Sequence, residues 1–240
     1  MPVWNPWHGC KKISPGCLNC YVYRRDAEFG KDSSIVEQTS SFRLPVKRSR
    51  SCEYKLLPDG ESVYTCMTSD FFLEEADEWR PAAWSMIRER EDLHFVIITK
   101  RIHRFLVGLP ADWGEGYEHV TICCTCENQK MAGNRLPVFL DLPIRHRTII
   151  HEPMLEAVDI RRYLATGQIE QVTCGGESGP GARLCDYEWI LNTRKQCVEF
   201  DVPLWFKQTG ANFKKGDRVY RIERKDQMSQ AARAGIDYRC

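Results

Sequence analysis

Six short runs, each rich in β-branched or aromatic residues and closed by a polar residue or glycine, limit the fold most strongly. They are Val63 to Met67, His94 to Thr99, His119 to Thr125, Arg147 to His151, Ile169 to Cys174 and Pro203 to Phe206. Continuous apolar runs of this length predict strands buried on both faces. Val3-Trp4 reads as the stub of an earlier strand. Stretches of helical character lie between the runs: Leu73 to Arg90, Ile102 to Leu109, Asn128 to Leu140, Leu155 to Ala165 and Tyr187 to Phe200. The first has acids at its start and bases at its end, which suits the helix dipole, and Pro81 predicts a boundary within it. Asp186 is placed to cap the last. Strands alternating with helices predict an α/β fold with a parallel sheet. The number of units suits a partial or complete (βα) TIM-type barrel; an open doubly wound sheet is the alternative.

Polar residues of the same kinds recur just past each run. They are Ser69-Asp70, Lys100-Arg101, Thr125 with Glu127-Asn128, His151-Glu152, Gly175 to Ser178 and Lys207-Gln208. In parallel βα folds the carboxyl ends of the strands form the ligand-binding face. Acids, amides and lysines at these ends therefore predict a shared site. Residues 1–213 read as one domain with an insertion at about 33–60, and residues 214–240 as a polar tail with one weak helix, Asp226 to Ala234.

The chain has 240 residues, 34 of them basic and 33 acidic, so no whole-molecule field draws it to nucleic acid or to a membrane. No apolar run approaches the ~20 residues that a membrane span requires. The N-terminus has neither a basic region nor an apolar one, so a cytoplasmic protein is expected. Twelve cysteines are too few for a disulfide scaffold of this length. In a reducing compartment they read as metal ligands or buried small hydrophobes.

Cys10-x6-Cys17-x2-Cys20 is the most specific motif, with Gly9, Pro15 and Gly16 able to fold the loop back. Three thiolates can hold a soft metal or an iron–sulfur cluster. A structural zinc normally takes four protein ligands; His8 is a candidate fourth, and no second C-x2-C pair follows. An open coordination position points to chemistry. Cys123-Cys124-x-Cys126 ends a strand, where alternation puts Cys124 and Cys126 on one face; packing is the default, and Cys126 is the one able to reach a site. His151-Glu152 could transfer protons or contact substrate; a core histidine beside a helix-capping glutamate reads as well. The basic stretch Arg43 to Lys55, with Phe42 and Tyr54, reads as a charged surface loop or a phosphate-tracking one.

A three-cysteine loop at the start of a βα barrel resembles the radical S-adenosylmethionine superfamily, whose usual spacing is C-x3-C-x2-C; here the first gap is six. Trp4-Asn5-Pro6, Gly9-Cys10, Ser14 to Cys17 and Asn19-Cys20-Tyr21 resemble more closely an uncharacterised phage-associated family of radical-SAM-like proteins. So do Ser69-Asp70, Thr99 to Arg101, Glu127 to Gln129, Glu152-Pro153, Gly175 to Arg183 and Phe206 to Gln208.

The resemblance implies a 4Fe-4S cluster on Cys10, Cys17 and Cys20, with S-adenosylmethionine chelated at the open iron. Reduction would cleave the sulfonium and give a 5′-deoxyadenosyl radical that abstracts hydrogen from substrate. A flavodoxin- or ferredoxin-like donor would supply the electron. Among the candidate contacts for S-adenosylmethionine, Ser69 and Asp70 suit the amine, Lys100 or Arg183 the carboxylate, and Glu127 and Asn128 the ribose. Gly175 and Gly176 would admit the ligand closely, with Glu177 on a hydroxyl or amine and Ser178 and Lys207 beside it. Glu152, His151 and Cys126 are the candidates for catalysis. A nucleotide or nucleic-acid base is the substrate class considered. A zinc- or cluster-stabilised module that binds nucleic acid or a partner without catalysis is the alternative.

Overall fold

All six apolar runs form strands, in a computed structural model that describes residues 2–239. In chain order β1 (Val3–Trp4) and β2 (Trp7–His8) precede α1 (Tyr21–Glu28) and β3 (Glu37–Gln38). Next come β4 (Val63–Thr65), α2 (Arg80–Glu89), β5 (Phe95–Thr99), β6 (Val120–Thr125) and α3 (Gln129–Asp141). They are followed by β7 (His146–His151), α4 (Arg161–Leu164), β8 (Gln171–Gly175), β9 (Leu184–Asp186) and α5 (Tyr187–Glu199). The chain closes with β10 (Leu204–Gln208), β11 (Asn212–Lys215), β12 (Arg218–Arg221) and α6 (Gln227–Arg233).

Seven strands form one parallel sheet in the order β1-β4-β5-β6-β7-β8-β10. Each main-sheet strand lies beside the one before it in sequence. A doubly wound sheet reverses its strand order at a switch point, and this order never reverses. The fold is therefore α/β with the strand order of a partial (βα) barrel, and β1 and β10 remain its two edges.

Three helical expectations changed on folding. Of Ile102 to Leu109 only a 3₁₀ turn, Ile102–Arg104, forms. Leu73 to Arg90 divides into a 3₁₀ turn, Glu74–Ala76, and α2, with Pro81 in the first turn of α2 where its missing N–H is harmless. Of Leu155 to Ala165 only α4 is helical. The preceding backbone is tied elsewhere. Leu155 N donates to Glu127 O (2.9 Å), Asp159 N to Gln129 Oε1 (2.6 Å) and Ile160 N to Gln196 Oε1 (2.7 Å), while Gln196 Nε2 donates to Val158 O (2.9 Å). Asp186 caps α5 as expected, its side chain accepting from Glu188 N at 3.0 Å.

The chain divides into two interleaved compact units. The first comprises residues 1–12, 22–123 and 142–146. Its core is a chain of aromatic rings, with Trp7–Phe71 at 5.3 Å, Phe71–Trp84 at 4.8 Å and Trp84–Trp113 at 4.9 Å. Arg80 is fully buried beside them, where its guanidinium satisfies the carbonyls of Phe71, Leu73 and Val107 and pairs with Asp77. The insertion folds onto this unit. Arg48 and Arg90 both lie 4.0 Å from the Tyr54 ring, and Arg90 donates to the carbonyls of Pro45 and Leu56.

The second unit comprises residues 13–21, 124–141 and 147–240. Along its strands His151 pairs with Cys174, and Cys174 with Phe206. Phe206 stacks on Phe213 at 5.9 Å and meets Tyr187 of α5 at 6.5 Å. Beyond residue 213 lie the end of β11, β12, which completes the β9-β11-β12 sheet, and α6, and Tyr238 exchanges both backbone hydrogen bonds with Leu204.

Candidate functional site

In the first unit, Gly9 turns the chain toward Cys10. Its φ is +91°, and a Cβ there would stand 2.1 Å from Ile35 O, so only glycine fits. Cys10 N donates to Ser33 O at 2.7 Å, and the Tyr23 hydroxyl donates to Cys10 O. Ser69, expected to meet a ligand, donates through Oγ to Gly9 O at 2.5 Å. Asp70 is likewise engaged. Its carboxylate accepts from Phe72 N (3.0 Å), Thr99 Oγ1 (2.8 Å), Lys100 N (2.9 Å) and Arg101 Nη1 (3.4 Å).

The same guanidinium stands 3.7 Å from Cys10 Sγ, and its Nη2 donates to Lys11 O. Burial opposes the charge of Arg101, but Asp70 and the Cys10 sulfur outweigh it and raise its pKa. Sequence reasoning noticed Arg101 beside Lys100 and gave it no role. The Lys100 side chain is half-buried, and its ammonium forms no ion pair among the described residues.

In the second unit, the segment carrying Cys17 and Cys20 is a 3₁₀ turn, Pro15–Cys17, closed by Cys17 N on Ser14 O (2.9 Å) and Leu18 N on Pro15 O (3.2 Å). Two carboxylates from strand ends brace it. Glu127, just past β6, is fully buried and accepts from Gly16 N at 2.9 Å with Oε1 and from Arg135 Nη1 at 2.7 Å with Oε2. Burial would raise its pKa; Arg135, the Ser14 hydroxyl and the Gly16 N–H together hold it below the ordinary value. Glu177, just past β8, accepts from Asn19 Nδ2 (2.9 Å) and from Arg183 N, Nε and Nη2 (2.9, 3.0 and 2.5 Å). Burial again works to raise the pKa and the Arg183 and Asn19 donors to lower it, and the donors prevail. Arg183 Nη1 also reaches Pro15 O at 2.9 Å. Asn128 caps α3, its Oδ1 accepting from Met131 N at 2.9 Å. In the sequence Asn19 entered only as part of the Asn19-Cys20-Tyr21 motif, with no role assigned.

The glycines after β8 admit protein. A Cβ on Gly175 would stand 3.1–3.2 Å from the Gln208 and Glu152 side chains, and one on Gly176 would meet Thr209 O at 2.2 Å. Glu152 lies over Gly175, where it pairs with Lys207 Nζ at 2.7 Å and accepts from Gln208 Nε2. A register shift between Phe206 and Gln208 explains how two successive residues reach one carboxylate, since regular alternation sends neighbours to opposite faces. Ser178 is half-buried at the rim of this cluster's strand, in the loop after β8.

His151 and Cys126 lie elsewhere than Glu152. His151 is fully buried, Nδ1 donates to Cys126 O at 2.5 Å, and Nε2 has no partner among the described residues. Burial lowers its pKa, so the ring is neutral. Cys126 is buried with its Sγ 4.0 Å from Cys124 Sγ, as alternation requires, and burial pushes its thiol pKa well up. These are settings of core residues.

Cys10, Cys17 and Cys20 are half-buried and outside any disulfide. As soft donors, three thiols suit iron or zinc in kind. Among the described residues no three His, Cys, Asp or Glu side chains stand close enough to hold a metal as they are. No described helix is long and apolar enough to cross a membrane.

No curated protein and no solved structure matches the chain. A family whose description is "Protein of unknown function (DUF5131)" matches residues 2–235, nearly the whole length, and the chain belongs to that family.

Proposed function

We propose that this protein is a radical S-adenosylmethionine-type enzyme in which Cys10, Cys17 and Cys20 ligate a 4Fe-4S cluster. One observation carries the reading: the Cys17-x2-Cys20 turn is braced by two strand-end carboxylates, and neither thiol is used in a disulfide. A loop that presented cysteines for packing would bury them, as the chain does with Cys124, Cys126, Cys174, Cys185 and Cys197. When bound, the cluster and S-adenosylmethionine would supply reductive cleavage of the sulfonium and a 5′-deoxyadenosyl radical for hydrogen abstraction.

The chain's own residues divide the remaining work. The thiols are not gathered as they stand, so ligation has to order them, and metal binding offsets that ordering cost. Arg101 places a fixed positive charge at Cys10 Sγ, which favours the thiolate that a metal needs. Lys100, at a strand end and with no ion pair among the described residues, is the group we assign to meet a carboxylate. Glu152, Lys207 and Gln208 form a polar cluster at the carboxyl ends of β7 and β10, which suits substrate contact or proton handling. The electron would come from a flavodoxin- or ferredoxin-like protein. A nucleotide or a nucleic-acid base is the substrate class we propose.

Anaerobic reconstitution with iron and sulfide tests the reading. The expected product is brown, holds iron, and forms 5′-deoxyadenosine from S-adenosylmethionine with dithionite. Cys10→Ala, Cys17→Ala and Cys20→Ala should each lose the iron. Colourless protein that takes up zinc stoichiometrically and forms no 5′-deoxyadenosine would replace this reading with a zinc-stabilised binding module.

A further inference from the structure

The strand-end acids of the second unit resemble ligand-binding groups in sequence, yet every carboxylate oxygen of Glu127 and Glu177 is occupied by protein. Glu127 Oε1 takes the Gly16 N–H and Oε2 takes Arg135; Glu177 takes Asn19 and three donors of Arg183. The contacts fall on both sides of Cys17. Gly16 precedes it by one residue and Asn19 follows it by two, immediately before Cys20. Arg183 adds a third attachment, at Pro15 O. Charge-assisted hydrogen bonds of this kind are stronger than neutral ones, and here they are well shielded, since Glu127 is 0% and Glu177 6% exposed.

A surface loop of nine residues held by three polar attachments, one buried, one half-buried and one exposed, is not ordered by its own side-chain packing. Ile13 and Leu18 remain exposed and bury little apolar area. The carboxylates are what fix it. Gly16 is required for the same reason, because a Cβ there would stand 3.0 Å from the Glu127 carboxyl.

We infer that Glu127 and Glu177 are positioning residues that hold the backbone of the Cys17–Cys20 turn in place before any metal arrives, leaving only the thiols to be gathered on ligation, and that neither binds cofactor or substrate. The inference rests on the reading of these thiols as metal ligands, and it makes a claim about the metal-free chain that can be measured separately. The acids act through the backbone of Gly16 and the side chains of Asn19 and Arg183.

The test is pulse labelling of the metal-free full chain with iodoacetamide, with each cysteine followed by peptide mass spectrometry. In Glu127→Gln and Glu177→Gln, labelling of Cys17 and Cys20 should rise about tenfold, equivalent to ~1.4 kcal/mol of lost ordering. Cys10, held by the first unit, is the internal reference and should keep its rate. Asn19→Ala provides a variant that leaves the buried Glu127–Arg135 pair intact, and it should raise the labelling of Cys20 most. Unchanged rates at Cys17 and Cys20 in Asn19→Ala and in the folded glutamate variants would overturn the inference. An equal rise at Cys10 would also overturn it, since the effect would then be global loosening. Iron uptake separates the two ideas: raised labelling in the variants together with no iron in the parent protein keeps the positioning role and removes the cluster.

Discussion

The N–H of Gly16 donates to Glu127 Oε1 at 2.9 Å, at a position where a Cβ would be only 3.0 Å from the same carboxyl. One residue before Cys17, the chain has thus exchanged side-chain volume for a close backbone approach to a buried acid. Gly16→Ala should push Glu127 off this bond and strain its pair with Arg135. Overpacking of this kind costs about 1–3 kcal/mol. Urea unfolding should show a lower midpoint with an unchanged m-value, and Cys17 should become more reactive toward iodoacetamide in the folded protein.

The buried acid also sets an acid sensitivity. The folded pKa of Glu127 lies below its ordinary value of 4.5. Its contribution to stability is therefore full above about pH 4.5 and is lost as the pH falls through the lower, folded value. Glu177 shifts in the same direction and adds to the loss. Unfolding free energy measured from pH 7 down to pH 3 should fall in the acid range. Glu127→Gln should be less stable at pH 7 and lose less between pH 5 and pH 3. An identical slope in the variant would remove Glu127 from the acid response.

The aromatic core of the first unit depends on a cation. Arg80 has no exposed surface and satisfies three carbonyls, those of Phe71, Leu73 and Val107. Arg80→Met keeps much of the side-chain volume, leaves those carbonyls without their donor and leaves Asp77 with Arg104 alone. A buried acceptor left unsatisfied costs about 1–3 kcal/mol. Thermal unfolding should show a large drop in midpoint. An Arg88→Met control, whose Asp112 pair is exposed, should cost no more than about 1 kcal/mol.

The strands were legible in the sequence because burial on both faces leaves a continuous apolar run, which needs no partner to be recognised. The short strands β2, β3, β9, β11 and β12 were not legible. Glu37–Gln38 and Arg218–Arg221 are exposed along their length, so neither leaves an apolar run; the first pairs with the distant Trp7–His8 and the second with Asn212–Lys215 across a two-residue turn. The stretch 155–160 shows why helical pattern alone misleads: its backbone is satisfied by Gln129 and Gln196, which the sequence gives no reason to connect with it. At the site, residue types were legible and their protein partners were not: nothing in the sequence reveals that Arg101, Arg135 and Arg183 pair with Asp70, Glu127 and Glu177.

His151 and Glu152 are adjacent in sequence and differ in environment. His151 is fully buried, its Nδ1–H is held by Cys126 O, and desolvation lowers its pKa from 6.5. A histidine whose folded pKa is depressed stays neutral while the unfolded chain takes up a proton, so it withdraws stability as the pH falls below about 6.5. Imidazole signals followed by two-dimensional NMR as the pH falls should show His151 protonating with a midpoint below 6.5. His151→Phe should remove its share of the pH dependence. A His151 midpoint at or above 6.5 would instead show a ring open to solvent and keep it as a candidate proton-transfer partner of Glu152.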